Sequence, residues 1–449
     1  MQIDPETLVD LEFFSCFGTI GQSVFQYLDY FKTDCGRDYV KGLIKNGPCL
    51  ANEISDLQEI TRFFYEMNDG MHLDVSSGLV RDFEAYINTN YIGIDLPVSF
   101  SARLQAIYYR FNFSEMFESV KYGIRQTLFL ISQVFRYIAG LQQQPDMPDP
   151  VKLMCEEFNT ICSEINVDKI SRKFANPSCH DVYAADYLLR VQNRDNLKKI
   201  ADIVAKIDGH ASMAAATRKE RFVFPQILED GVQKIDIRGL YHPFLAKPVK
   251  NDFHQASGSN IWFLTGPNMA GKTTYLKALG ISLILAHIGM GVPAESMAFT
   301  TLDQLFFQLS VHDDIRLGIS SFYREILQVK RVVELLQSGR RLMVIIDEIF
   351  KGTNVTDAFD CSKTVINGFA RFPDQFFVIS SHLYELKPEI SGHSNLRCKF
   401  FDASLRGDAL EFSHTIMDGV SDVRIGTRLL EKAGITGFFN DRLLEAAQE

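Results

Sequence analysis

The run Gly266-Pro267-Asn268-Met269-Ala270-Gly271-Lys272-Thr273 fits the spacing G-x-x-x-x-G-K-[ST], in which each residue type has a task at a polyphosphate. Glycines let backbone N–H groups turn inward around phosphate oxygens, and a following helix adds partial positive charge at its first turn. The Lys272 ammonium would neutralise the β- and γ-phosphates, and the Thr273 hydroxyl would ligate Mg2+, with Thr274 beside it in the cradle. Five apolar residues, Leu342 to Ile346, run into Asp347-Glu348. Asp347 would hold the metal, and Glu348 would orient or deprotonate an attacking water. A third apolar run, Phe376 to Ile379, ends in Ser380-Ser381-His382, where His382 could meet the γ-phosphate or the water. The chemistry expected of these groups is Mg2+-dependent hydrolysis of ATP.

These side chains converge only if the elements carrying them are neighbours. From Phe222 onward, short β-rich runs (Ile261 to Leu264, Leu342 to Ile346, Phe376 to Ile379) are each followed by a helical pattern. That alternation predicts a wound parallel sheet with covering helices, whose ligands sit at the carboxyl ends of the strands. The fold class expected is an α/β P-loop domain over residues 222–449, preceded by an all-α domain over 1–215. The boundary falls between 217 and 235, where Arg218-Lys219-Glu220-Arg221 interrupts the apolar pattern. In the first half, Val120, Ile124, Leu128, Ile131, Phe135 and Ile138 recur at three- and four-residue steps, which predicts one buried helix face. Met154, Phe158, Ile161 and Ile165 repeat it. Three prolines between Pro145 and Pro150 cannot continue a helix, so this stretch reads as the tip of a helical hairpin, or else as a linker.

The chain has 449 residues, 46% hydrophobic and 23% charged, which suits a globular protein with a sizeable core. A net charge of −10 excludes a uniformly basic nucleic-acid coat but not a local basic groove. Lys121, Arg125 and Arg136, Lys198-Lys199, and Arg218, Lys219 and Arg221 could each meet phosphates or else form ordinary solvated helix faces; there is no interleaved aromatic and basic stripe that would read single strands. The 8 cysteines form no metal-binding spacing, and the acidic start Met1 to Glu6 lacks the pattern of a secretory signal. Reduced thiols in a cytoplasmic protein, with no membrane contact, are expected. Trp262 reads as a packing residue rather than a platform for a base.

Thr265-Gly266-Pro267-Asn268-Met269 followed by Gly271-Lys272 resembles the phosphate loop of the MutS family of DNA mismatch-repair ATPases. Further matches follow in that family's order: His242-Pro243, Gly291-Val292-Pro293-Ala294, Asp313-Asp314, Gly318-Ile319-Ser320-Ser321-Phe322 with Glu325, Asp347-Glu348-Ile349, Gly352-Thr353, Ser381-His382, and Gly419-Val420-Ser421-Asp422. Thr7 to Glu12 and Cys35-Gly36-Arg37 are similar to the family's helical core domain. The resemblance implies an ATP-gated homodimer in which Gly318 and Ser320 complete the partner's nucleotide site and Asn268 reads both nucleotide and partner. It implies DNA as a binding partner, with other repair proteins beside it.

Departures are part of the reading. Ala270 replaces a usual glycine and requires φ below zero. Phe350-Lys351 stands where the family has Gly-Arg. Against the resembled family, the chain is expected to open at the core domain, without a counterpart of the mismatch-reading domain before Met1, with little room for a clamp around Pro145 to Pro150 and without a nuclease-like tail after Glu449. A short form without mismatch recognition is therefore expected. Two other readings stay open: a nucleotide-gated protein-interaction module without DNA, and a transporter-type cassette. The latter needs an LSGGQ-like signature, whereas this chain has Gly318-Ile319-Ser320-Ser321-Phe322.

Overall fold

In the computed structural model, all residues are described except 16–20, 68–72, 90–99, 230, 268, 310–320, 407–408, 421–433 and 437–449. Among them the strands are β1 (Gln2–Ile3), β2 (Gln226–Ile227), β3 (Lys234–Leu240), β4 (Asn251–Ala256), β5 (Ile261–Thr265), β6 (Ser296–Phe299), β7 (Gln304–Gln308), β8 (Leu342–Ile346), β9 (Phe376–Ser380), β10 (Leu396–Arg406) and β11 (Ala409–Asp418). The main sheet has the order β1-β7-β8-β9-β5-β10-β11, parallel throughout except for the β10–β11 hairpin. A second sheet has the order β2-β6-β3-β4.

The central strands show no polar alternation because both their faces are covered. Every residue of β5, β8 and β9 is buried. Trp262, Leu264, Met343, Ile345 and Val378 face the core that contains helix Lys272–His287. Ile261, Phe263, Val344, Ile346, Phe377 and Ile379 face the opposite core, with helices Ser321–Gln337 and Val355–Phe369. Helix Lys272–His287 is buried on nearly all sides, which explains a sequence (LKALGISLILAH) that is apolar all round.

The amino-terminal half is helical around its own core. Helix Arg194–Lys219 runs along Asp34–Lys45 and Ala51–Glu66. The proline stretch joins helix Ser114–Leu141 to helix Asp149–Ile165, with Pro150 in the latter's first turn, where its missing N–H costs nothing. The far end of Asp149–Ile165 returns to the start of Arg194–Lys219, where Asn196 Nδ2 donates to Glu164 Oε2 at 3.0 Å.

Two expectations need correction. The sheet's edge strand β1 and the helix Pro5–Asp10 come from the segment assigned to the helical domain. Thr7 Oγ1 accepts from the Phe307 N–H at 3.0 Å, and Leu8, Leu11, Val24 and Ile44 share a core with the sheet. The apolar pattern of residues 1–14 gave no hint of this, because a two-residue strand carries no periodicity. Phe135, expected on the buried face of its helix, is 55% exposed, and Leu128 is half-buried, while Val120, Ile124, Ile131 and Ile138 are buried as expected. No helix among the described residues is long and apolar enough to cross a membrane.

The long helix is locked to its neighbour by Asp208, which is 5% exposed and accepts from Thr33 Oγ1 at 2.6 Å and from the N–H groups of Lys32 and Thr33 at 3.1 and 2.9 Å. Asp208→Ala should lower the unfolding free energy by about 2–4 kcal/mol in urea titrations, since it leaves buried donors unpaired. Lys32→Ala keeps the backbone donor and should change stability by less than about 0.5 kcal/mol.

Candidate active site

β8, β9 and β5 are adjacent and parallel, so their carboxyl ends open at one place. The loop 266–271 follows β5, Asp347-Glu348 follows β8, and Ser380 ends β9 between them. Three segments far apart in the chain are thereby brought within hydrogen-bond reach.

The loop owes its shape to backbone that only certain residues tolerate. Gly266 has φ 141° and Gly271 φ 108°. A Cβ on Gly266 would come 3.2 Å from Phe401 Cβ. Met269 takes φ 73°, whereas Ala270 is absent from the left-handed residues, so its methyl is accommodated and fully buried. Lys272 is 4% exposed, and its Nζ donates to the carbonyls of Gly266 (2.6 Å) and Pro267 (3.2 Å). Burial disfavours its charge and lowers its pKa, against the opposing pull of Asp347 and Glu348.

Thr273 donates from Oγ1 to Asp347 Oδ2 at 2.5 Å. The other carboxylate oxygen accepts from the Ser380 hydroxyl, and Ser380 Oγ in turn accepts from the Glu348 N–H at 2.8 Å. Ser380 is completely buried. One hydroxyl thus fixes both acids relative to β9, a role that the sequence reading passed over in favour of His382. The signal was present: Ser380 is the first polar residue at the tip of an otherwise apolar strand.

Glu348 takes φ 57°, a conformation that costs roughly 1–2 kcal/mol for a non-glycine residue. Its carboxylate is held from both sides, with His382 Nε2 at 2.5 Å from Oε1 and Lys351 Nζ at 2.5 Å from Oε2. The His382 hydrogen bond, with Lys351 adding to it, lowers its pKa to about 2 in spite of burial. Glu348 and His382, proposed separately from sequence, are therefore one unit. Lys351 belongs to it as well. The preceding Phe350 sits at φ 56°, as a glycine there readily would, and is 3% exposed against Phe322, ring centroids 5.9 Å apart. Burial of the ring, worth about 2 kcal/mol, offsets the backbone cost. Glu325, 4% exposed, accepts from the Gly352 N–H at 3.4 Å and supports the same segment.

Beside the loop lies a cleft of about 280 Å³, walled by Tyr241 and His242 on one side and by Met269, Thr274, Phe401 and His414 on the other. His414, at φ 54° in the hairpin, bonds through Nδ1 to the Ala270 carbonyl at 3.0 Å. Asn251 holds His414 in turn, donating to its carbonyl at 2.9 Å and accepting from the Ile416 N–H at 2.8 Å. Trp262 is not in this cleft. It is buried against Phe253 at a centroid distance of 4.7 Å, the packing role expected of it.

The fit to a magnesium nucleotide rests on this donor set: a glycine cradle, a buried amine at its centre and two hard oxygens, Thr273 Oγ1 and Asp347 Oδ2, in contact. Mg2+ commonly takes only one or two protein ligands alongside phosphates and water. Among the described residues there is no cluster of three or more His, Cys, Asp or Glu that would bind a different, protein-caged metal. Asn268, Gly318 and Ser320 lie outside the described residues.

Comparison with known families gives a match of residues 262–448 to MutS domain V. Among curated proteins the chain is 27% identical over 338 residues to the DNA mismatch repair protein MutS of Bacillus pumilus, covering 73% of this chain and 36% of that protein. The MutS of Fervidobacterium nodosum is 23% identical over 350 residues (74% and 41%) and that of Wolbachia pipientis wMel 30% identical over 252 residues (56% and 28%). The chain thus spans between about a quarter and two-fifths of the length of these relatives.

The lowered Glu348 pKa has a thermodynamic consequence. Its contribution to stability is complete above the unfolded value of 4.5 and is lost as pH falls through about 2. Glu348→Gln should therefore be less stable than the parent at pH 6, with the difference shrinking steadily between pH ~4.5 and ~2 in denaturant titrations. A difference independent of pH would show that the ion pairs do not form.

Proposed function

We propose that the protein hydrolyses ATP with Mg2+ and works as a MutS-like, ATP-gated dimer on DNA in a repair-related process, a reading supported by the match of residues 262–448 to MutS domain V. The observation that carries the reading is the meeting of Lys272, Thr273, Asp347, Ser380 and Glu348 at three neighbouring strand tips.

In this reading the triphosphate lies along Gly266 to Thr273, with Lys272 exchanging the loop carbonyls for phosphate oxygens. The base enters the cleft between His242 and His414, where apolar and aromatic walls suit a flat heterocycle. Thr273 and Asp347 would hold Mg2+, which when bound neutralises charge developing between the β- and γ-phosphates. A water attacks the γ-phosphorus, the bond to the bridging oxygen breaks, and ADP leaves with that electron pair.

Glu348 accepts the hydrogen bond of this water and aims it. With a pKa near 2 it is a weak base, so its main contribution is orientation, with the proton passing on to phosphate oxygen. His382 and Lys351 keep the carboxylate ionised and pointed. Gly318 and Ser320 are assigned to the partner's nucleotide, and Asn268 to the contact between the two copies.

Glu348→Gln should retain ATP binding while slowing steady-state hydrolysis about 100-fold. Lys272→Ala should raise the dissociation constant for ATP by an order of magnitude or more, read by equilibrium dialysis. Sedimentation velocity should show a dimer promoted by a non-hydrolysable ATP analogue; a monomer with and without it would overturn the gated dimer.

A further inference from the structure

Ser380 holds the turn that carries the two acids more firmly than any other side chain does. Its hydroxyl donates to Asp347 Oδ1 and accepts from the Glu348 N–H at 2.8 Å, and its carbonyl accepts from the Ile349 N–H at 3.2 Å. Towards β5 it stands level with Leu264, whose carbonyl accepts from the Ser381 N–H at 3.1 Å. Ser380 is completely buried and Asp347 is 5% exposed. With its strand fixed on both edges, the hydroxyl cannot follow the acid. The acid must follow the hydroxyl.

A carboxylate can offer a cation one oxygen or two, depending on how its plane is turned. Here Oδ1 is turned inward to Ser380, and Oδ2 outward to Thr273 Oγ1 at 2.5 Å. The Thr273 hydroxyl gives its single proton to Oδ2, so its lone pairs remain for a cation. The site thus presents two single oxygens and no chelating carboxylate. The adjacent acid, Glu348, is engaged at both oxygens by His382 and Lys351. Mg2+ demands near-ideal octahedral geometry at about 2.0–2.1 Å, with few carboxylate contacts. Ca2+ takes about 6–8 oxygens at ~2.3–2.6 Å and accepts a carboxylate by both oxygens. Two single oxygens favour the smaller ion.

We propose that Ser380 is a positioning residue that makes this site select Mg2+ over Ca2+, by fixing the Asp347 carboxylate so that one oxygen faces the cation. Without the Ser380 hydroxyl, Asp347 is free to turn both oxygens to the site, an arrangement that suits Ca2+. The Glu348 N–H loses its acceptor in the same step, so the acid that aims the water shifts as well. The proposal deepens the reading above and rests on its assignment of Thr273 and Asp347 to the metal.

The test measures bound Mn2+ by electron paramagnetic resonance, using the full chain with a non-hydrolysable ATP analogue, and displaces it with Mg2+ and with Ca2+ in parallel. The affinities of the two metals for the analogue itself cancel between parent and variant. Ser380→Ala should shift the ratio of Ca2+ to Mg2+ affinity towards Ca2+ about tenfold, the scale of losing a group that orients a metal ligand. Ser381→Ala also removes a buried hydroxyl, one that accepts from the Leu383 N–H at 3.1 Å. It should lower thermal melting comparably and leave the ratio at the parental value. An unchanged ratio in Ser380→Ala, or an equal shift in Ser381→Ala, overturns the proposal while leaving the ATPase reading standing. Should the alanine variant not fold, Ser380→Cys fills the site with only a weak donor. The ratio should then move in the same direction, and a parental ratio overturns the proposal. A parent that binds no Mn2+ with the analogue overturns the metal assignment itself, and this proposal with it.

Discussion

Thr273 and Asp347 are 74 positions apart in the chain, and their side chains are 2.5 Å apart. That contact exists because β5 and β8 both pair with β9 in parallel, in a register that brings their carboxyl ends level. A parallel sheet demands long crossovers, and those from β7 to β8 and from β8 to β9 carry helices Ser321–Gln337 and Val355–Phe369, which cover one face. The same demand explains why the three strands are apolar on both sides. Burial of the strands and convergence of the polar tips are thus two results of one constraint.

Within that frame the polar groups order one another. Ser380 ties Asp347 to Glu348, Lys351 and His382 bracket Glu348, and Glu325 steadies the turn that carries Lys351. Two non-glycine residues in left-handed conformations, Glu348 and Phe350, sit within three positions of one another. Strain of this kind persists only where surrounding contacts over-determine the backbone, and here the ion pairs of Glu348 and the burial of Phe350 do so. Phe350-Lys351, expected from sequence to alter this segment, places a cation beside the acid and a buried ring at a left-handed position.

The sequence revealed those parts of the structure in which local pattern and chemistry coincide. The loop 266–273, the strand ending at Asp347, the packing role of Trp262 and the negative φ required of Ala270 were all readable, because residue type alone dictates them. Other parts depend on contacts between distant segments. Nothing in Gln2-Ile3 announces an edge strand, since its partner is some 300 residues away. His414 and Asn251 shape the cleft beside the loop through a bulged hairpin and a bridge between sheets, neither of which leaves a periodic trace. Phe135 matched the apolar repeat but lies at the rim of a cleft formed only when three helices assemble.

The account's central claim is that Thr273 and Asp347 hold the metal of a bound nucleoside triphosphate. Mn2+ substituted for Mg2+ permits a direct measurement by electron–nuclear double resonance in the presence of a non-hydrolysable ATP analogue. The account predicts phosphorus hyperfine coupling to the metal, with weakened metal binding in Asp347→Asn. Bound Mn2+ without phosphorus coupling, or a complex indifferent to Asp347→Asn, would contradict it.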